Sequence, residues 1–190
     1  LEHKGNFIFS VLDSTNETEL VAYERAFYRA FGGSPNLDHI WKFDHKAKRI
    51  AAAIPYEFQE IYLAKVGGRI VAGAAVNFGL DNALQLELEG FKIDKSNKDI
   101  CEIVQMFCLL DLGNGTPMLK LFTGFFLEKL IARNVAIVYG TCSQRRVRPY
   151  QMIGLEVTGE LIHNNEKVFL LELDVKKNLP RLQGLSSFVT

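Results

Sequence analysis

The chain has 190 residues, of which 48% are hydrophobic and 23% charged, with 22 Lys+Arg against 22 Asp+Glu. That length fits one ordinary domain burying about 70% of its unfolded surface, and the composition excludes a disordered chain. A formal net charge of +0 removes the excess of Lys and Arg on which broad nucleic-acid binding depends.

Phe7 to Leu12 is a short, partly alternating apolar run and predicts a strand. Ser14 with Glu17, or Asn16 with Glu19, then offers a capping box. Leu20, Tyr23, Phe27 and Phe31 follow at helical spacing, and Gly32-Gly33-Ser34-Pro35 ends that amphipathic helix. Residues 36–55 mix charge and aromatics without one period, so a helical or irregular connector is expected, ended by Pro55. Ile61 to Val66 and Arg69 to Phe78 flank Gly67-Gly68, a strong hairpin signal. Ala83 to Phe91 alternates and predicts a half-exposed strand. Ile100 to Leu110 is nearly continuously apolar and predicts a central strand buried on both faces.

Thr116-Pro117 is a helix start, with Thr as N-cap and Pro at the first helical position. This helix is expected to run to about Arg133, closed by a left-handed Asn134. Leu119, Leu121, Phe122, Phe125, Phe126 and Leu130 make it apolar around much of its girth, which predicts burial in the core. Val135 to Tyr139 then predicts another buried strand, so strand, helix and strand form a parallel crossover. A short helix from Pro149 to Ile153 ends at Gly154. Glu160 to His163, an Asn164-Asn165 turn and Lys167 to Asp174 predict a last hairpin. No repeat or linker divides the chain. It is expected to be one α/β (α+β) domain over 1–190, with its core at about 7–175 and a tail over 176–190.

The three cysteines are odd in number and lack C-x-x-C spacing, which argues against a disulfide framework and for a reducing, cytoplasmic setting. The four histidines are scattered, so no metal site is expected. No uncharged apolar run reaches the ~20 residues of a membrane span, and no signal-peptide pattern opens the chain. Leu1 in place of Met allows a fragment boundary there. Cys108 has no His placed to activate it, and an apolar strand makes it inert packing. Gly113-Asn114-Gly115 alone allows a phosphate-binding α/β enzyme, but no Walker lysine follows it.

The order of elements resembles the GNAT superfamily of N-acyltransferases. Val66 to Val76 (VGGRIVAGAAV) resembles the family's glycine hairpin. Cys101 to Leu110 (CEIVQMFCLL), a glycine loop and a helix resemble its donor-binding core. Tyr150 to Glu156 (YQMIGLE) resembles its Tyr-x-x-x-Gly box. The chain departs from the family at the phosphate loop, where Leu110 stands in place of a Gln or Arg. Relatives that take acyl chains from acyl carrier protein also diverge there, among them the acyl-homoserine-lactone synthases and the N-acyl amino acid synthases. Arg25, Trp41 and Asp44 resemble the Arg, Trp and Asp of the lactone synthases' N-terminal region.

The resemblance implies a three-layer domain. Its mixed, mostly antiparallel sheet would have about six or seven strands, with helices on both faces and one parallel strand-helix-strand crossover. It implies acyl transfer from acetyl-CoA, another acyl-CoA or acyl carrier protein to a primary amine. The backbone of Cys108, Leu109 and Leu110 would pair with the pantetheine arm. Gly113, Asn114, Gly115 and Thr116 would hold the pyrophosphate at a helix N-terminus. Arg145 and Arg146, with Arg148, would hold a phosphate or the acidic face of a carrier protein, or form a solvated loop. Glu102 opens an apolar strand, where desolvation raises a carboxyl toward neutrality, as a general base needs. It would otherwise sit at a solvated strand end or pair with a lysine. Tyr150 would protonate the leaving thiolate, or else pack in the core with its hydroxyl on backbone. Tyr28, Arg29 and Phe31 would border the acceptor cleft, with ordinary core packing the other reading for Phe31. A homodimer fits the same resemblance. The alternative function is a non-catalytic ligand-sensing or partner-binding domain of the same shape.

Overall fold

The computed structural model describes residues 2–4, 6–33, 41–51, 53–82, 84–110, 112–163 and 165–178. An edge strand, β1 (Glu2–Lys4), precedes the predicted first strand, β2 (Phe7–Val11). Helix α1 (Glu17–Phe31) starts at Asn16, whose side chain accepts from Glu19 N at 3.2 Å. Of the two candidate caps, Asn16 is therefore the one used. The helix buries Tyr23, Phe27 and Phe31, the face its spacing predicts.

The connector expected over 36–55 holds a small hairpin in its described part, β3 (Lys42–Asp44) and β4 (Arg49–Ala51). Three-residue strands are too short to show a period, and packing decides them: Trp41 and Ile50 are buried against α1. After a 3₁₀ turn at Tyr56–Phe58, β5 (Gln59–Val66) and β6 (Arg69–Asn77) form the expected hairpin. Gly67 (φ 53°) and Gly68 (φ 76°) supply the two left-handed residues of its tight turn.

Residues 83–91, expected as a strand, contain a helical turn, α2 (Gln85–Leu88). Leu84 and Leu86 are buried while Leu88 is exposed. In a segment this short, acceptors for the first backbone N–H groups decide between strand and helix. The Glu87 carboxylate takes Leu84 N at 2.8 Å, and a neighbouring strand supplies the rest, as described below.

Strand β7 (Ile100–Cys108), helix α3 (Leu112–Ala132) and strand β8 (Ile137–Ser143) are the predicted crossover, and β7 and β8 are parallel. Helix α3 starts a turn before the Thr116-Pro117 signal, so Gly113 to Thr116 fall within its first turns and not in a loop ahead of it. The side chains at 111–117 lie outside the described residues. Asn134 (φ 58°) closes the helix as expected. A 3₁₀ turn at Gln144–Arg146, helix α4 (Val147–Met152) and the hairpin β9 (Glu156–His163) and β10 (Glu166–Asp174) complete the chain. The expected tail beyond residue 178 lies outside the described residues.

Eight of the ten described strands form one sheet, against the six or seven expected, in the order β1-β2-β5-β6-β7-β8-β10-β9. Each neighbouring pair is antiparallel except β7 and β8. Helix α3 covers one face, where Phe122, Phe125 and Phe126 are buried with Phe9 and Tyr62. The Phe9 and Phe125 rings lie 5.4 Å apart, so this phenylalanine row is core. Helix α1 and the β3–β4 hairpin cover the other face, around Phe27, Trp41 and Phe107. Each buried Phe contributes roughly 1.5–3 kcal/mol.

Gly73 of β6 lies beneath the second cluster. A Cβ there would meet the Phe107 ring at 2.7 Å and Tyr23 at 3.3 Å. Phe107 is itself held by Phe27 at 5.8 Å between ring centroids. Gly73→Ala is expected to destabilise the domain by about 1–3 kcal/mol, read as a lower urea midpoint with an unchanged slope.

Candidate functional site

Strands β7 and β8 part company halfway along. Their pairing runs from Ile100↔Ile137 to Ile103↔Gly140 and stops, although β7 continues to Cys108 and β8 to Ser143. Beyond that point β6 keeps β7 (Ala72↔Cys108) and β10 keeps β8 (Val168↔Ser143). The sheet therefore opens as a V between two parallel strands. A bulge marks the opening: Val76 faces Ile103 and Ala75 faces Gln105, leaving Val104 unmatched. Such an extra residue bends a strand and re-aims its side chains.

Helix α2 sits across this opening. Glu102 of β7 is 1% exposed. Its carboxylate accepts from Leu86 N at 2.6 Å, from Gln85 N at 2.9 Å and from Asn77 Nδ2 at 3.3 Å. Burial pushes its carboxyl up from the usual range, while the two backbone donors and Asn77 pull it down. Glu102 is thus buried as predicted, neither at a solvated strand end nor beside a lysine, and its oxygens are spent on starting α2. Gln85, so positioned, donates to Val104 O at 3.1 Å and accepts from Trp41 Nε1 at 3.1 Å.

Glu89, one turn after Gln85, is another buried carboxyl on this side of the sheet, at 4% exposure. Burial raises it to about 7; hydrogen bonds from Thr141 and Gln85 pull down, and the nearby Glu102 charge pushes up. Among the described residues nothing donates to its Oε2. Cys142 follows Thr141 on β8, and burial pushes its thiol up to about 11, with Arg146 opposing and Glu89 reinforcing.

The predicted site residues divide into two groups. Phe31, Arg146 and Tyr150 come together. The Arg146 guanidinium lies 4.2 Å from the Phe31 ring centre and is close enough to Tyr150 to act on its phenol. Burial raises the Tyr150 phenol while Arg146 lowers it. Phe31 is buried in the core, its ring tilted against Trp41 at 5.6 Å, which is the core reading given for it. Through Trp41 and Gln85 the same group reaches Glu102. Tyr28 lies apart, with its hydroxyl 3.0 Å from His45 Nδ1. Arg29, Arg145, Arg25 and Asp44 are exposed. Cys108 is half-buried at the end of β7, its thiol raised by burial. Leu109 N extends the ladder to Val71 O at 2.7 Å, and Leu110 packs against the α3-side core.

Sequence reasoning missed Gln85, Glu89 and Gln105. Gln105 of β7 is buried and accepts from the Tyr23 hydroxyl. Read as a strand, Gln85, Glu87 and Glu89 form one solvated face. Read as a helix, Gln85 and Glu89 are four apart and share a face; that spacing was the available signal.

Two outcomes are expected. Glu102→Gln leaves one backbone N–H of α2 facing an amide NH₂, so unfolding free energy should fall by about 1–3 kcal/mol. The Glu89 carboxyl is raised from 4.5 to about 7, so the folded state holds its proton longer than the unfolded chain. Its stabilising contribution is full below 4.5 and lost as pH rises through about 7. Glu89→Gln should therefore gain stability relative to wild type across that window, by an amount on the order of 3 kcal/mol, measured by urea titrations at several pH values.

No protein-family model matches the chain, and no curated protein matches it in sequence. Solved structures do match. The CoA-dependent acyl-homoserine lactone synthase BjaI, solved with SAM and isopentyl-CoA, is 15% identical with a TM-score of 0.73, covering 95% of this chain and 90% of that one. The CoA-dependent synthase MesI is 16% identical with a TM-score of 0.71, covering 95% of each chain. The ribosomal-protein-S18-alanine N-acetyltransferase from Escherichia coli is 13% identical with a TM-score of 0.55, covering 89% of this chain and 94% of that one. The chain has the GNAT-like fold that these lactone synthases share with the N-acetyltransferase, with higher TM-scores to the synthases.

Proposed function

We propose that the protein is an N-acyltransferase, moving an acyl group from a pantetheine thioester to a primary amine by direct attack. The observation that carries this reading is the parting of β7 and β8 beyond Ile103 and Gly140. Parted parallel strands leave inner-edge backbone groups without a strand partner, and an extended diamide such as pantetheine can dock there as an added strand. Along Cys108, Leu109 and Leu110 the arm would follow the end of β7. The start of α3 offers its first free N–H groups, those of Gly113 and Asn114 among them, to the pyrophosphate, with Gly115 and Thr116 following in the same stretch of helix, and the exposed Arg145 and Arg146 add positive charge.

BjaI was solved with isopentyl-CoA, which supports an acyl-CoA donor; acetyl-CoA and acyl carrier protein are the other donors of the same class. Phe31, beside Arg146, would border the acceptor side, with Tyr28 and Arg29 further out on the same helix, and the acceptor would be a small-molecule amine. Holding amine and thioester together supplies much of the rate. Tyr150 protonates the leaving thiolate, whose free pKa is about 8.5, and Arg146 keeps that phenol oriented. Glu102 acts from behind by holding α2. A cytoplasmic setting suits this chemistry.

A second reading is a non-catalytic domain that senses such a donor. Leu110 favours it: a half-buried leucine stands where the family carries a Gln or Arg.

Thermal stability with acetyl-CoA, a long-chain acyl-CoA and loaded acyl carrier protein tests the donor cleft. A ligand at 100 times its Kd adds about 2.7 kcal/mol, a shift of a few degrees. No shift with any donor would remove the acyl-transfer reading. Tyr150→Phe should lower kcat by about 10²–10⁴-fold with donor Kd unchanged. Donor binding without transfer to any of a wide panel of amines would favour the sensing domain.

A further inference from the structure

We propose that Glu89 is the proton acceptor for the attacking amine, an inference that rests on the acyl-transfer reading. Three observations place it. The parallel pairing ends at Ile103 and Gly140, so Val104 and Thr141 are the first residues of β7 and β8 inside the V. Glu89 lies beside both: Gln85, one turn before it on α2, donates to Val104 O at 3.1 Å, and the Thr141 side chain is close enough to act on the Glu89 carboxyl. Its Oε2 is buried with no donor among the described residues, a state a carboxylate leaves when an N–H group arrives.

Glu102, the other buried carboxyl here, has no such spare oxygen, because three donors occupy it. The two acids therefore divide the work. One organises α2, and the other keeps a buried oxygen without a donor among the described residues.

The step balances as follows. The neutral amine nitrogen attacks the thioester carbonyl carbon and a C–N bond forms. Glu89 takes one N–H proton. The C–S bond breaks with its electron pair on sulfur, which takes the Tyr150 proton. Water then returns the Glu89 proton to Tyr150, so the net products are an amide and a free thiol.

The charged and titratable groups around Glu89 are Glu102 on β7, Cys142 on β8, Arg146 beyond it acting on Cys142, and Glu87 on its own helix acting on Glu102. With the free carboxyl near 7, kcat/KM should rise with pH through that region. This limb belongs to the enzyme, so it stays in place for two amines of different pKa, whereas a limb from the amine moves with it.

The test is the pH profile of thiol release by wild type, Glu89→Gln and Thr141→Val, with an acyl-CoA that raises thermal stability and two such amines. Glu89→Gln should lose the common limb and about 10²–10⁴-fold in rate, with donor Kd unchanged. Thr141→Val removes a hydrogen bond that lowers the carboxyl, so the limb should move to higher pH with its plateau kept. Glu89→Asp, which keeps the carboxyl, should keep the limb if Glu89→Gln fails to fold. A limb unchanged in Glu89→Gln, or one unmoved in Thr141→Val, would overturn the role of Glu89 alone. A wild type that binds the donor and transfers to no amine would overturn the acyl-transfer reading, and this inference with it.

Discussion

The grip of Glu102 on the first backbone N–H groups of α2 is the contact on which the site depends. Burying a carboxylate costs several kcal/mol unless its oxygens are met. Here Gln85 N, Leu86 N and Asn77 Nδ2 meet them, and the same bonds satisfy donors that a four-residue helix leaves open. Everything at the mouth of the cleft follows from this. Once α2 is fixed, Gln85 reaches Val104 O on one side and Trp41 on the other, and Glu89 is buried one turn further on. Trp41 packs on Phe31, and Phe31 carries Arg146 on its ring.

The opening itself is held by its outer partners. Strand β7 stays on β6 through Cys108 and is turned by the bulge at Val104, which carries it away from β8 past Ile103. Strand β8 stays on β10 from Ile137 to Ser143 and so keeps its own course. Two apolar layers stiffen the halves, the phenylalanines of α3 on one face and the Phe27, Trp41 and Phe107 group on the other. Closely packed layers resist small deformations, so the polar groups between the strands keep their places.

Much of the architecture was legible in one dimension. The Gly67-Gly68 hairpin, the apolar run of β7 and the periodicity of α1 each exceed the length at which a pattern identifies an element. The crossover from β7 through α3 to β8 followed from their order. The misreadings fall where segments are short. Leu84, Leu86 and Leu88 alternate as a strand would, yet a carboxylate on a distant strand made the segment helical. The β3–β4 hairpin showed no period in three-residue strands. Of the site, Glu102 and Tyr150 were visible as polar residues in apolar or motif contexts. Glu89 was hidden by the wrong period, which turned it toward solvent.

The sequence by itself determined the class of fold, the main hairpin, the buried crossover and the candidates on β7 and α4, because hydrophobic period and turn chemistry are local properties. Only the tertiary structure decided the conformation of α2, the point where β7 and β8 separate, and which carboxyl keeps a free oxygen. Each of these depends on hydrogen bonds between residues far apart in the chain, such as Glu102 to Gln85 and Leu86, and no local pattern encodes which distant donor a buried acid will find.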